Sequence, residues 1–169
     1  GYIDAFDAFP DNPAEHADAD GDGLGDNADT QYDLNPAEMD YHNVEIQRAN
    51  NAALCMGVDN TAPLLNKQIK EVSCNQDGTS LWSWGQDGRI HSKSEPSLCI
   101  QSSGHNNDAS LTLQTCSDSN MQKWSYTLSE KSIRNRINNR AAFDLFSNGN
   151  VKIWGAHGGV NQQWVIVTP

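Results

Sequence analysis

Apolar residues recur in short alternating runs along the part of the chain that follows residue 45. Leu111-Thr-Leu113 and Val151-Lys-Ile153 are examples, and clusters of Gly, Asn, Asp or Ser end such runs. A period of two places successive side chains on opposite faces of a strand, so the runs predict half-buried β-strands. No amphipathic stretch of helical length follows residue 45. The pattern therefore predicts an all-β domain.

The apolar pattern is repeated three times at a spacing of 40 to 44 residues. In each copy an isoleucine lies nine residues before one recurring position, and a tryptophan lies eight residues after a second one. In chain order, the copies contribute Ile46, Cys55, Cys74 and Trp82; Ile90, Cys99, Cys116 and Trp124; and Ile133, Ala142, Ala156 and Trp164. Since one such copy cannot bury its own apolar face, three copies of a four-strand unit predict a closed threefold arrangement.

The four cysteines occupy equivalent positions in the first two repeats. Four cysteines allow three pairings, and the even count without a Cys-x-x-Cys motif favours disulfides over a zinc site. Both positions become alanine together in the third repeat, at Ala142 and Ala156, as the loss of a bridge predicts. We therefore expect disulfides Cys55–Cys74 and Cys99–Cys116, each worth about 3 kcal/mol, and a secreted, extracellular location.

The repeats resemble the ricin B-type β-trefoil lectins, which carry a Gln-x-Trp (QxW) signature, and the family 13 carbohydrate-binding modules. The signature occurs as Gln122-Lys-Trp124 and Gln162-Gln-Trp164, whereas the first repeat has Ser80-Leu-Trp82. The resemblance implies a β-trefoil domain over residues 41–169. Its repeats span about 44–87, 88–130 and 131–169.

The resemblance also implies a sugar site in the third repeat. The family places an Asp two residues after the first cysteine position, an aromatic two residues before the second, and Asn and Gln at the start of the QxW segment. These four positions hold Asp144, Trp154, Asn161 and Gln162, and Lys152 and His157 are candidates for the rim. Asp144 is expected to accept hydrogen bonds from two sugar hydroxyls, and Trp154 to stack on a pyranose ring. The alternatives are a turn-capping role for Asp144 and a partly structural role for Gln162.

The other two repeats depart from this set. The corresponding residues are Gln101, Gln114, Met121 and Gln122 in the second repeat, and Gly57, Val72 and Thr79 in the first. Trp82, Trp124 and Trp164 recur in all three repeats and are expected in the core. We therefore predict one competent site, in the third repeat, and leave open a weak second site in the second repeat.

Galactose- or N-acetylgalactosamine-type glycans are the favoured ligands, because the Asp, Trp and Asn-Gln set resembles the galactose-binding version of the family. Glucose- and xylose-type polymers remain an alternative.

No catalytic motif is found in the sequence, and a glycosidase-like pair of Asp144 with Glu130 or Asp108 has no support in the repeats. The chain is therefore expected not to be an enzyme itself. The competing functions are a structural or protein-interaction trefoil with a vestigial sugar site, or a part of a secreted hydrolase, protease or toxin whose active domain lies upstream.

Charge divides the chain at about residue 40. Residues 1–40 carry a net charge of −12 and residues 41–169 a net charge of +1, in a chain with a net charge of −11. Within the acidic segment, residues 18–29 place oxygen ligands at the spacing of a calcium loop, with Gly23 at the sharp turn. The predicted calcium ligands are Asp18, Asp20, Asp22, the carbonyl of Leu24, Asp26 and Asp29.

The acidic segment resembles a thrombospondin type 3 repeat through the stretch Asp7-Ala-Phe-Pro-Asp-Asn-Pro-Ala-Glu-His-Ala-Asp18. The start of the chain also fits, because Gly1-x-x-Asp4-x-x-Asp7 has the same spacing as Gly23 to Asp29. Asp4, Asp7 and Asp11 are expected to form a weaker, incomplete calcium site. The alternative is a disordered acidic linker.

Dispersed basic residues argue against a nucleic-acid partner, and no apolar run has the length of a membrane span. Because the chain begins without Met, we expect it to be one part of a longer protein.

Overall fold

The fold is all-β, as the alternating runs predict. We describe residues 41–75 and 78–169 of a computed structural model. Twelve strands lie within these residues: β1 Tyr41–Arg48, β2 Asn51–Gly57, β3 Lys70–Ser73, β4 Leu81–Trp84, β5 Ile90–Ser92, β6 Leu98–Ser102, β7 Leu111–Thr115, β8 Trp124–Thr127, β9 Ser132–Asn135, β10 Ala141–Leu145, β11 Val151–Gly155 and β12 Trp164–Val167. Each repeat therefore supplies four strands, and the β-trefoil prediction is confirmed.

The first and last strands of the barrel pair with each other. Strand β1 pairs antiparallel with β12, with Ile46 opposite Ile166, and pairs with β4 along its other stretch, with Val44 opposite Trp82. Strands β4 and β5, and likewise β8 and β9, join consecutive repeats. The inward-facing side chains of the three repeats pack in one common core.

Three hairpins, β2–β3, β6–β7 and β10–β11, cover one end of the barrel. Isolated bridges tie each hairpin to the next, and they pair Gln68 with Thr112, Lys70 with Asn150, and Ser110 with Lys152. The third hairpin is therefore hydrogen-bonded to the other two, and these bonds fix the backbone that carries the side chains on its outer face.

The three repeated tryptophans are buried, as predicted, and make the same hydrogen bond in every repeat. The indole Nε1 atoms of Trp82, Trp124 and Trp164 donate to the carbonyls of Met56, Ile100 and Phe143 at 2.9, 3.0 and 3.3 Å. Each carbonyl belongs to the residue that follows the first cysteine position. The threefold pattern in the sequence therefore reflects a repeated packing unit in the core.

Both predicted disulfides are confirmed, Cys55–Cys74 and Cys99–Cys116. In each pair the first cysteine is buried within its strand, and the second directly follows the last residue of the facing strand. Among the described residues, no helix combines the length and apolar character that crossing a bilayer requires. The predicted calcium ligands, including Asp4, Asp7 and Asp11, lie outside the described residues.

Candidate functional site

The outer face of the third hairpin carries the predicted site residues. Along β10 and β11, Phe143, Val151 and Ile153 point into the core. Because side chains alternate along a strand, the residues between them point outward. Asp144 lies opposite Lys152, and Trp154 lies opposite Ala142. This register places the carboxylate and the indole side by side on one surface.

Asp144 is the centre of a polar cluster. Its Oδ1 accepts from Asn161 Nδ2 at 2.7 Å, and its Oδ2 accepts from Gln162 Nε2 at 2.8 Å and from His157 Nε2 at 3.1 Å. Gly159 N donates to Nδ1 of the same histidine at 3.1 Å, so the imidazole proton is assigned to Nε2. Only 5 % of the Asp144 surface is exposed, and three donors compensate its buried charge.

Gln162 supports the site from behind. Only 1 % of its surface is exposed, at the end of the 3₁₀ turn Val160–Gln162. Its amide also donates to the carbonyl of Gly155 at 3.0 Å, and its Oε1 accepts from the backbone N–H of His157 at 2.8 Å. Every polar atom of the amide thus has a protein partner. This environment favours the structural alternative, in which Gln162 fixes Asp144 and the segment around His157.

Aromatic side chains form the other wall. Trp154 is 37 % exposed, in contrast to the buried tryptophans of the repeats. The ring of Phe146 meets the Trp154 indole edge to face, with centroids 5.8 Å apart. The ammonium of Lys152 lies 5.2 Å from the Phe146 ring centre and 2.7 Å from Asp108 of the second repeat. The Trp154 indole therefore packs against the Phe146 ring, and part of the indole surface remains exposed to solvent.

These two walls enclose an open cleft of about 290 Å³, close to the lower end of the size range of small-molecule sites. The cleft is lined by Asp144, Leu145, Phe146, Ser147, Trp154, His157 and Asn161. It combines a carboxylate acceptor, an amide, an imidazole and an aromatic face. Such a set can hydrogen-bond hydroxyl groups on one side of a ring and pack against C–H groups on the other.

The structure brings most of the predicted site residues together, with two differences. Asp144, Trp154, His157 and Asn161 line the cleft, whereas Gln162 lies behind it and Lys152 pairs with Asp108 beside it. The sequence reasoning missed Phe146. A usable signal exists, because the residue four positions after the first cysteine position is aromatic in this repeat alone; the others have Asp59 and Ser103.

The second repeat retains the supporting amide but differs at the binding positions. Gln122 Nε2 donates to Gln101 Oε1 at 2.8 Å and to the carbonyl of Thr115 at 2.9 Å, while Ser117 N donates to Gln122 Oε1 at 2.8 Å. These bonds match those of Gln162 one for one. A neutral amide replaces the carboxylate, and Gln114 donates to Asn66 at 2.9 Å where the third repeat has an indole.

The first repeat has no room for a side chain at the aspartate position. A Cβ atom on Gly57 would lie 2.5 Å from Val72 Cγ2 and 2.8 Å from the Thr79 carbonyl. A smaller depression nearby, of about 170 Å³, includes Asp59. Lys70 holds that carboxylate at 2.7 Å, and its hydrogen bond lowers the pKa of Asp59.

The two carboxylates considered as glycosidase partners of Asp144 have other partners. Asp108 pairs with Lys152 at 2.7 Å, and Glu130 pairs with Arg134. Neither residue lines the cleft that holds Asp144. The described contacts therefore give Asp144 no second carboxylate in the cleft.

Comparison with known proteins agrees with this architecture. A family model described as the ricin-type beta-trefoil lectin domain matches residues 42–166.

Solved structures share the fold. The β-trefoil lectin of the Vibrio vulnificus hemolysin/cytolysin, solved with N-acetyl-D-lactosamine bound, is 18% identical to this chain with a TM-score of 0.62. That match covers 75% of this chain and 95% of the Vibrio chain. The C-half of the earthworm R-type lectin, in complex with GalNAc, is 18% identical with a TM-score of 0.63, covering 76% of this chain and 100% of that one. A designed threefold-symmetric protein, ThreeFoil, is 17% identical with a TM-score of 0.65, covering 73% of this chain and 96% of that one. No curated protein matches the sequence.

Proposed function

The chain belongs to the ricin-type β-trefoil lectin domain family, a non-catalytic carbohydrate-binding fold, and on that premise we propose that its third repeat binds galactose- or N-acetylgalactosamine-type glycans. One observation carries the proposal: Asp144, with its three donors, and the half-exposed Trp154 line the same open cleft. At the equivalent positions the other repeats have Gln101 with Gln114, and Gly57 with Val72.

The cluster around Asp144 sets how a sugar would bind. A carboxylate has about four acceptor positions, and protein donors occupy three of them. One ligand hydroxyl can therefore bind without rearrangement. A second hydroxyl, as the family resemblance implies, would replace His157, whose side chain is 45% exposed. The Trp154 indole would pack against the apolar face of the sugar ring.

Two structural relatives support the choice of ligand class. The earthworm lectin domain was solved with GalNAc, and the Vibrio lectin domain with N-acetyl-D-lactosamine. Both are only 18% identical to this chain, so the ligand class rests mainly on the Asp, Trp and Asn set. A single site of this kind is expected to bind a monosaccharide at roughly millimolar to high micromolar affinity, and tight retention would require several copies.

Calorimetric titration with galactose, GalNAc, glucose and xylose tests the proposal. We expect binding of the first two sugars, loss of that binding by at least about tenfold in Trp154→Ala, and no change in Gln114→Ala, the matched substitution in the second repeat. Preference for glucose or xylose, with the same dependence on Trp154, would keep the site and overturn the ligand class. No binding of any glycan on an array would instead favour a structural or protein-interaction trefoil.

A second part of the proposal concerns residues 1–40. We infer that this segment is a calcium-binding linker, because five carboxylates and Gly23 fall in the register of a calcium loop at residues 18–29. Calcium titration should show a site that Asp20→Ala with Asp22→Ala removes and that Asp33→Ala, outside the loop, retains. Chelation should leave the melting of the trefoil unchanged. Lack of calcium binding would favour the acidic linker.

We also propose that the chain is a binding module of a larger secreted protein, which it directs to glycans. The two disulfides support an oxidising compartment. Cell fractionation of the source organism, followed by immunodetection, should find the chain in the medium with both disulfides intact and at a mass above 18.5 kDa. Detection only in the cytoplasm, with free thiols, would contradict the location.

A further inference from the structure

The two disulfides have matched geometry and opposite electrostatic surroundings. Their sequence separations are 19 and 17 residues, and both Cα–Cα distances are 5.0 Å. In each pair the first cysteine is fully buried and the second is half-buried. The burial of the cysteines therefore does not distinguish the two bridges, whereas their neighbouring groups do.

Cys99–Cys116 lies beside an imidazole. His91 Nδ1 is 3.4 Å from both sulfurs and 3.0 Å from the carbonyl of Pro96. Because a carbonyl only accepts, Nδ1 is assigned the proton. The other nitrogen, Nε2, lies 3.6 Å from Oδ2 of Asp87. A protonated His91 can therefore donate at both ends while its charge stays next to the disulfide.

The charged groups around His91 favour that arrangement. Burial raises the pKa of Asp87, but hydrogen bonds from Arg89 outweigh it and bring the pKa below the usual range. Arg89 also lies 3.5 Å from Asp118. Strands β4 and β6, which pack beside His91, contribute no charged side chain. A carboxylate therefore faces the imidazole on the side away from the sulfurs.

Cys55–Cys74 lies beside a carboxylate instead. An oxygen of Glu45 is within 4.8 Å of both sulfurs, and only 4% of the Glu45 surface is exposed. A negative charge there opposes formation of a thiolate, whereas a nearby imidazolium stabilises one. The rate of disulfide exchange rises as the leaving thiolate becomes more stable. The two bridges should thus differ in exchange rate despite their similar geometry.

We propose that Cys99–Cys116 is a site of thiol–disulfide exchange with dithiols, while Cys55–Cys74 stays intact under the same conditions. A thiolate of the dithiol attacks the half-buried Cys116 Sγ and forms a mixed disulfide. The electron pair of the broken S–S bond passes to Cys99 Sγ, which takes the proton from His91 Nδ1. The second thiol of the dithiol then loses its proton to water and attacks the reagent's own sulfur in the mixed disulfide. This step releases the Cys116 thiolate, which takes a proton from water. The dithiol becomes a cyclic disulfide, and the protein gains two thiols.

Partial reduction of the native chain with dithiothreitol, followed by alkylation and peptide mass spectrometry, tests the proposal. We expect Cys99 and Cys116 to be labelled at least about threefold faster than Cys55 and Cys74. Since both bridges meet the same reagent, the reagent's own ionisation cancels in the ratio of the two labelling rates. Equal rates, or faster loss of Cys55–Cys74, would overturn the proposal.

Substitutions at histidines separate the effect of the imidazole from that of general accessibility. His91→Gln keeps a donor without the charge and should bring the ratio of the two labelling rates close to one. His105→Gln, in a loop of the same repeat, should leave that ratio unchanged. Glu45→Gln should speed the loss of Cys55–Cys74 alone. An unchanged ratio in a folded His91→Gln protein would assign the difference to access and contradict the proposal. If that variant does not fold, Glu45→Gln decides, because an unchanged rate for Cys55–Cys74 in that variant would equally contradict the proposal.

Discussion

The side-chain amide of Gln162 donates to Oδ2 of Asp144 at 2.8 Å, and both groups are almost wholly shielded from solvent. The QxW glutamine and the site aspartate therefore act as one unit. The amide orients the carboxylate, and the carboxylate satisfies the amide. In the second repeat, Gln122 donates the equivalent hydrogen bond to Gln101 at 2.8 Å. The second repeat therefore has the same supporting contact, with a neutral amide in place of the carboxylate.

This relationship predicts that Asp144→Ala lowers stability as well as binding. Removal of the carboxylate leaves three donors without their acceptor, at a cost of about 1–3 kcal/mol in the free energy of unfolding. Chemical denaturation measures that cost. Asp144→Asn is the matched control, since it retains the shape and one acceptor oxygen; we expect it to lose binding with a smaller loss of stability. Equal stability of Asp144→Ala and the native chain would show that the cluster contributes little to folding.

Two neighbouring core tryptophans should respond differently to replacement by phenylalanine. Trp82 Nε1 donates to the carbonyl of Met56 at 2.9 Å, whereas Trp84 Nε1 is buried without a hydrogen-bond partner among the described residues. Trp82→Phe removes a satisfied donor and leaves a buried carbonyl unpaired. We therefore expect Trp82→Phe to destabilise the domain by about 1 kcal/mol more than Trp84→Phe. The reverse order in denaturant titrations would contradict this assignment.

Alkaline pH should weaken the fold through Tyr126. Burial raises the pKa of this phenol to about 12, and its hydroxyl donates to the carbonyl of Trp164 at 2.8 Å. Between about pH 10 and 12 the unfolded chain loses this proton and the folded chain keeps it, so stability falls as pH rises through that window, by roughly 2–3 kcal/mol in full. The slope of unfolding free energy against pH should be smaller in Tyr126→Phe. An identical slope would assign the alkaline transition to other groups.

Much of the fold could be predicted from the sequence, because it is repeated. Trp124 and Trp164 recur with the same spacing, and each makes the same hydrogen bond in the core. The cysteine positions change together, and the disulfides follow that pattern. A repeated packing unit leaves a repeated signal, so the strand order and the bridges could be inferred without coordinates.

The site was harder to predict, because its residues depart from the repeat. The resemblance identified Asp144, Trp154, His157 and Asn161 at the cleft, but it did not separate Gln162, which is buried behind them. Phe146 was missed because it follows the end of β10. The pairing of Lys152 with Asp108 joins two repeats, and a pattern read within one repeat carries no information about such a contact.

The accessibility of Trp154 gives the most direct test of the central claim, that the third repeat holds the sugar. Among the described tryptophans, four are buried and Trp154 is 37 % exposed, so its indole N–H signal in a ¹H–¹⁵N NMR spectrum is identified by its loss in Trp154→Phe. Addition of galactose or GalNAc should shift this indole signal in a saturable manner and leave the signals of Trp82, Trp84, Trp124 and Trp164 nearly unchanged. Saturable sugar binding that leaves the Trp154 signal unmoved would contradict the account.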